Sequence, residues 1–198
     1  MPFNKLIFRV LAILLSGFIL VEVNYAQLTP QSQLAIFALL GLCLVFLKYP
    51  IYSRIKENRS LLAVDFIFAG AVFFCFGYVL VQTEPMFQAY WLDGVSLGNR
   101  AGMEHGLDHF MGLVGLVLVL EATRRAIGLT LPLLALVFVL YAAYGYAMPD
   151  WLFPHRGYSW NRIVSQTFLH SQGVFGIALK VMFTYVFLFV LFGTVLEQ

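Results

Sequence analysis

The stretch that decides the fold is LVLEATRRAIG, residues Leu118–Gly128. An apolar run leads into it, Glu121, Arg124 and Arg125 interrupt it, and a second apolar run, Leu129–Ala147, follows. Charged residues confined to so short a connection are typical of a tight turn between two membrane-spanning helices. Cytoplasmic turns of this kind carry the positive residues that set orientation. The stretch therefore predicts a helical hairpin in a bilayer.

The composition extends this prediction to the whole chain. Hydrophobic residues make up 61% of the 198 residues and charged residues only 11%, whereas a soluble domain carries about 25% charged residues. A chain of this size cannot enclose so much apolar surface in its own core, so we expect an integral membrane protein with an all-α fold. The net charge of +2 gives no indication of a nucleic-acid partner, and none is expected.

Six apolar segments are long enough to cross a bilayer, which takes about 20 helical residues. The predicted spans are Leu6–Val23, Ser32–Tyr49, Leu61–Gln82, Gly106–Thr123, Leu129–Ala147 and Val174–Leu196. The fourth is the weakest, because only Phe110–Leu120 is uninterrupted, and so short a run also fits a buried or re-entrant segment. The predicted fold is a polytopic membrane helix bundle.

The basic residues between the spans predict their orientation. With the N-terminus in the cytoplasm, eight basic residues lie on the cytoplasmic side and four on the other, as expected from the excess of Lys and Arg in cytoplasmic loops. The cytoplasmic set is Lys5, Arg9, Lys48, Arg54, Lys56, Arg59, Arg124 and Arg125, and the other set is Arg100, Arg156, Arg162 and Lys180. We therefore expect both termini to be cytoplasmic.

An interfacial amphipathic helix is predicted at about 159–170, between the fifth and sixth spans. Ser159 is suited to cap its N-terminus. Its apolar face would carry Trp160, Ile163, Val164, Thr167 and Phe168, whereas Asn161, Arg162, Ser165 and Gln166 fall elsewhere on the helix. A helix with this distribution is expected to lie along the outer surface of the bilayer.

The densest polar cluster is EHGLDH, residues Glu104–His109. A helix would place His105 and His109 on one face, a spacing that can ligate a metal or haem. The pattern lacks the additional ligand of established metal motifs, so the favoured interpretation is a solvated polar cap on the fourth span, without metal or cofactor. Cys43 and Cys75 lie in apolar runs without a partner at metal-ligand spacing.

Two carboxylates, Asp65 and Glu121, lie near the predicted cytoplasmic ends of spans. Ionisable residues inside a membrane indicate function by default, but these two can reach the headgroups. Glu121 is followed three and four residues later by Arg124 and Arg125, where ion pairing along a helix is easy. We therefore predict a structural and topological role for Glu121, Arg124 and Arg125 rather than a proton relay. The sequence contains no pattern of a catalytic site, and we do not expect an enzyme.

Together these motifs resemble the fused permease of tripartite ATP-independent periplasmic (TRAP) transporters, which joins a four-span small subunit to a twelve-span large one. The matching stretches are LVLEATRRAIG, LPLLALVFVLYAAYG (Leu131–Gly145), HRGYS (His155–Ser159) and GVFGIALKVMFTYVFLFVLFGTVLE (Gly173–Glu197). The resemblance runs over the whole chain and is specific after Leu107. It implies a four-span, small-subunit-like membrane domain at 1–125. Residues 126–198 would then begin the large-permease domain.

The resemblance implies a place in the bacterial inner membrane and a role in organic-acid uptake. In this family a periplasmic solute-binding protein delivers the substrate, and the large domain moves it using a sodium or proton gradient. The family's ion- and substrate-binding motifs lie beyond the part matched here, so no catalytic, substrate-binding or ion-binding residue carries over. Expected partners are a large permease subunit or the remainder of the fused permease, the binding protein and membrane lipid. Because the chain stops at Gln198, after the sixth span, a fragment or a split gene product is expected.

Two other interpretations stay open at this point. With His105 and His109 as haem ligands, the chain would be the membrane anchor of a haem or quinone redox complex. It could also be a non-functional remnant of a frameshifted gene.

Overall fold

The computed structural model describes residues 2–50, 59–149 and 153–197, with side chains from Leu6 and, after the first gap, from Val64. Within these ranges every regular element is a helix, and there is no strand. The predicted all-α fold is confirmed. Arg54 and Lys56 of the predicted cytoplasmic set lie outside the described residues, as do the side chains of Lys5 and Arg59.

Seven helices follow one another along the described chain. They are α1 (Pro2–Asn24), α2 (Pro30–Lys48), α3 (Arg59–Thr83), α4 (Gly106–Ala126), α5 (Thr130–Tyr144), the short α6 (Trp160–Val164, continued by a π-helical segment, Ser165–Leu169) and α7 (Ile177–Leu196, with a π-helical segment at Met182–Val186). Six of them, all but α6, supply stretches of 18 to 21 residues that are long and apolar enough to cross a membrane, where α5 is taken together with the 3₁₀ turn that follows it, Gly145–Ala147. The chain is therefore a multi-pass membrane protein. The fourth predicted span is present as one continuous helix.

The turn between α4 and α5 is as tight as the sequence predicts. Helix α4 ends at Ala126 and α5 begins at Thr130. Gly128 adopts a φ of +109°, a conformation open to glycine because it has no Cβ. Its N–H donates to the carbonyl oxygen of Arg124 at 3.1 Å and so satisfies one of the free acceptors at the helix end. We call the end of the bundle that contains this turn the turn end.

The opposite end of the bundle carries the segment 84–105, and we call it the loop end. Short 3₁₀ turns, Pro85–Tyr90, Leu92–Gly94 and Leu97–Arg100, make up most of this segment. Asp93 and Gly94 both have positive φ angles, 54° and 66°. The chain therefore reverses direction here without a further long helix.

The core is formed mainly by α1–α4. Helix α2 packs along α3, and α1 and α4 flank this pair. Fully buried side chains of the core include Ile19, Phe46, Val72, Phe76 and Val79. The last two spans are the least enclosed: 11% of the span residues are buried in α5 and 6% in α7, against 17% in α1, 28% in α3 and 33% each in α2 and α4.

A helix is present where the amphipathic helix is predicted, as α6 and the π-helical segment that continues it. The Ser159 hydroxyl accepts a hydrogen bond from the N–H of Arg162 at 3.4 Å, as expected of an N-cap residue. Its apolar side is buried on the bundle, with Ile163, Val164 and Phe168 among the core residues. Val164 and Phe168 lie directly over Gly112 and Gly115 of α4. The apolar face of α6 is therefore covered by protein, which differs from the prediction that this helix lies along the outer surface of the bilayer.

Two residues of α6 differ from the predicted distribution. Ser165, expected away from the apolar face, is 2% exposed, whereas Trp160 is half exposed. Ser165 is buried because it hydrogen-bonds to Glu104.

Candidate functional site

Arg125 lies at the centre of a buried ionic cluster at the turn end. Its side chain is 2% exposed, and it donates to Asp65 Oδ1 at 2.5 Å and to Glu121 Oε1 at 2.8 Å. Arg124 donates to both oxygens of Glu121, at 2.7 Å each, but its own side chain is 39% exposed. Both of the ion pairs predicted within α4 are confirmed. The pair with Asp65 adds a link to α3 that the sequence analysis missed.

Aromatic rings complete the surroundings of Arg125. Its guanidinium carbon lies 4.8 Å from the ring centroids of Phe46 and of Phe68, and the two rings stack on each other at 5.4 Å. Its Nη1 also donates to the carbonyl oxygen of Tyr49 at 3.4 Å. An arginine over aromatic faces gains cation–π stabilisation. One side chain of α4 therefore binds α2 and α3 together, and the charges of this cluster are paired, as membrane interiors require.

A second buried ionic cluster lies at the loop end, around Asp108. Asp108 is completely buried, and its Oδ1 accepts hydrogen bonds from Tyr78 Oη at 2.5 Å and from Arg100 Nη2 at 3.3 Å. Arg100 Nη2 also donates to Gln82 Oε1 at 2.9 Å. Asp108 Oδ2 accepts from the N–H of His105 at 2.9 Å, at the start of α4. This polar stretch is predicted to be a solvated cap, but Asp108 is buried, and its carboxylate holds the loop against α3 through Arg100 and Tyr78.

The two candidate metal ligands, His105 and His109, have different surroundings. His105 is the N-cap residue of α4, and its Nε2 lies 2.7 Å from Asp93 Oδ2. His109 lies one turn into α4, and its Nδ1 is buried without a hydrogen-bond partner. In the described part of the chain, no group of three His, Cys, Asp or Glu side chains is placed to hold a metal ion. Cys43 and Cys75 are buried free thiols, as expected of cysteines in apolar runs.

Two more buried carboxylates shape the connection between α1 and α2. Glu22 Oε1 accepts from the N–H groups of Gln27 at 2.8 Å and Leu28 at 2.7 Å. Glu84 Oε2 accepts from the N–H and the hydroxyl of Thr29, both at 3.1 Å. Both acids therefore satisfy backbone donors in a turn, a structural use that a sequence alone does not reveal.

Glu104 connects the loop end to α6. Its Oε1 accepts a hydrogen bond from the Ser165 hydroxyl and lies 2.9 Å from His170 Nε2. Burial alone would raise the pKa of Glu104, but the hydrogen bonds from Ser165 and His170 act the other way and lower it from 4.5 to about 2. The carboxylate is therefore ionised at neutral pH and anchors α6 in that form.

The lowered pKa of Glu104 makes the anchoring of α6 dependent on pH. A carboxyl whose pKa is lowered by folding stabilises the fold above its unfolded pKa and loses that contribution as the pH falls through its folded pKa. We expect the stability advantage of the wild type over Glu104→Gln to be full above pH 4.5 and to vanish as the pH approaches about 2. Thermal unfolding of both proteins in detergent across this range measures the difference. A constant difference would contradict this assignment.

No protein-family model matches the chain, and no curated protein or solved structure matches it. The class that the fold defines is an all-α, multi-pass membrane bundle. Buried ionic clusters around Arg125 and Asp108 tie its helices together at the two ends.

Proposed function

We propose that this chain is a membrane scaffold part of a TRAP-type secondary transporter for organic acids in a bacterial inner membrane. It would work with a large permease subunit or the remainder of a fused permease, with a periplasmic solute-binding protein and with an ion gradient. The turn end would be cytoplasmic. The sequence resemblance from Leu107 onward suggests this family, and the arrangement of the helices supports a scaffold within it.

The observation that carries the proposal is the difference between helices α2–α4 and α7. Buried ion pairs and aromatic packing fix α2, α3 and α4 to one another. By contrast, α7 buries only Phe183, which contacts Phe18 of α1 and Phe37 of α2 at ring distances of 6.1 and 5.6 Å. Spanning helices associate through close side-chain packing. Apart from Phe183 and the contact of Phe187 with Phe37 at 6.5 Å, most of α7 is exposed, and the rest of a permease would supply a surface that covers it.

The exposed side of α7 is therefore expected to contact a permease in the native membrane. A photo-crosslinking amino acid at Phe189, which is 74% exposed on α7, should give a cross-link to a polytopic permease of about twelve spans. The matched position is Phe73 on α3, which is 67% exposed, and its cross-link to the same protein should be weaker. Mass spectrometry of the cross-linked bands identifies the partner.

Uptake measurements provide the functional part of this test. Proteoliposomes containing this chain, the cross-linked permease and the matching binding protein should accumulate an organic acid under a sodium or proton gradient, whereas this chain alone should not. Cross-linking of Phe189 to lipid only would contradict the proposal. Cross-linking to a redox subunit, together with a haem absorption band, would replace it with the redox-anchor interpretation.

A further inference from the structure

Residues Phe153–Trp160, FPHRGYSW, connect α5 to α6 and fold back on the end of α5. The N–H of His155 donates to the carbonyl oxygen of Gly145 at 3.1 Å, and the N–H of Tyr158 donates to that of Ala142 at 2.9 Å. These bonds satisfy carbonyl groups of the kind that a helix end leaves free. We call residues 153–160 the basic–aromatic segment. Its main chain is therefore fixed to α5.

Side-chain packing also holds the basic–aromatic segment in place. The ring of His155 lies directly over Gly145, where an added Cβ would come within 2.2 Å of it. The same ring contacts those of Tyr141 and Tyr158, with centroids 4.8 and 5.7 Å away. The segment thus has a defined conformation before it meets any partner, which lowers the entropic cost of binding.

Two aromatic residues at this end of α5 are left outside the packing. Phe153 is 82% exposed, and Tyr146 is 68% exposed. Phe153 also has a φ of +51°, which is a rare conformation for a bulky residue. Backbone strain of this kind persists only where the surrounding structure imposes it, and it concentrates at functional sites. The fold therefore presents an aromatic side chain outward at a cost.

The level of Phe153 along the spans indicates what this side chain meets. Its carbonyl oxygen accepts a hydrogen bond from Tyr141 Oη at 2.8 Å. Tyr141 lies in α5, about two helical turns before the apolar span ends at Ala147. Phe153 therefore lies beside the last turns of a span rather than beyond its end. Exposed aromatic residues at this level of a spanning helix lie in the headgroup region of a bilayer.

The charges of the segment agree with a lipid surface. Arg156 and Arg162 are exposed, and no carboxylate of the described residues forms an ion pair with either. The sequence contains no Asp or Glu from Phe153 to Leu196. Basic residues at the membrane surface are attracted to the phosphates of lipid headgroups. Exposed aromatic and basic side chains together at the end of a span are thus complementary to the headgroup layer.

We infer that the basic–aromatic segment is an interfacial anchor. Phe153 and Tyr146 insert into the headgroup layer at the loop end, and Arg156 contacts lipid phosphates. The role expected of the amphipathic helix is thus taken by the segment that precedes it. The anchor fixes the depth of the end of α5 in the bilayer. This inference does not depend on the transport proposal, because it rests only on the residues around Phe153.

The test is the depth of a nitroxide label on the purified chain in liposomes that contain phosphatidylglycerol. The label is attached to Phe153→Cys or, at a second position of the same surface, to Tyr146→Cys. Cys43 and Cys75 are buried, so the wild type should take up little label. The accessibility of the nitroxide to oxygen and to a water-soluble nickel complex gives its depth. Both labels should lie about 5–10 Å into the headgroup region.

Asn99→Cys is the matched control. Asn99 is an exposed polar residue of the segment 84–105, at the same end of the bundle, and its label should remain in water. Circular dichroism confirms that the labelled variants keep their helices. If the labels at Phe153 and Tyr146 are as accessible to nickel as the label at Asn99, the inference is overturned, and the surface is free for a soluble protein instead.

The contribution of Arg156 is tested in the Phe153→Cys background. Arg156→Gln should move the label towards water, because it removes the contact with lipid phosphates. The shift should be larger in liposomes that contain phosphatidylglycerol than in liposomes of phosphatidylcholine alone. An unchanged depth in both kinds of liposome would overturn the contact assigned to Arg156.

Discussion

Replacing Arg125 with Gln is expected to destabilise the bundle by about 3–5 kcal/mol, which is the cost of removing one partner of a buried ion pair. The substitution leaves Asp65 and Glu121 without the donor that now lies 2.5 and 2.8 Å from them. It also removes the guanidinium from the rings of Phe46 and Phe68. Three helices lose contacts together, so membrane yield and thermal stability should both fall sharply.

Arg124→Gln is the matched control for this prediction. It removes the same charge from the same turn, one residue away, but the Arg124 side chain is 39% exposed and pairs only with Glu121. Exposed pairs contribute about 0–1 kcal/mol, so this variant should remain close to the wild type. The measurement is thermal unfolding of both variants in one detergent. If the two variants lose equal stability, the effect comes from the charge of the turn and not from the buried cluster.

The second large effect is expected at Gly115, where α6 crosses α4. A Cβ at this position would lie 2.0 Å from the Cζ atom of Phe168. The ring of Phe168 has little room to withdraw, because it packs against Phe76 at 5.3 Å and Phe175 at 5.4 Å. Overpacking of a tight core costs about 1–3 kcal/mol. Gly115→Ala should therefore destabilise the protein near the upper end of that range and loosen α6 from α4.

Gly70→Ala controls for the intrinsic effect of alanine in a helix. No atom lies within 4 Å of the Cβ that it would add to α3, and alanine is favoured over glycine in a helix by about 1 kcal/mol. This variant should equal or exceed the wild type in thermal stability. In addition, Phe168→Leu should recover part of the loss in the Gly115→Ala background, as expected for two side chains in contact. Wild-type stability of Gly115→Ala would contradict the close packing of α6.

The spans and the charged turn were predictable from the sequence because they follow from local properties. An apolar run of about 20 residues has few alternatives to a spanning helix, and a glycine after a basic helix end favours a turn at Gly128. The ion pairs of Glu121 with Arg124 and Arg125 also lie within one helix, at distances fixed by its geometry. The role of Ser159 as a helix N-cap was predictable for the same reason, because it depends only on neighbouring residues.

The long-range partners could not be predicted in this way. Asp65 and Arg125 are 60 residues apart, and nothing in either segment specifies that Phe46 and Phe68 stack beside them. The one available signal was that Asp65 and Arg125 fall at the same predicted end of their spans. At the loop end, Arg100 looks in the sequence like an ordinary solvated arginine of a loop. Its burial could not be predicted, because it depends on how the 3₁₀ turns fold back on α3.

The burial of Arg100 has a practical consequence for imaging this protein. A membrane chain of 198 residues offers little outside the bilayer by which single particles could be aligned. The segment 84–105 is fastened to α3 and α4 through Arg100, Gln82 and Asp108, so it moves with the spans rather than apart from them. An antibody fragment that binds the folded segment would therefore be held rigidly relative to the spans, and it would act as a fixed marker for electron cryo-microscopy.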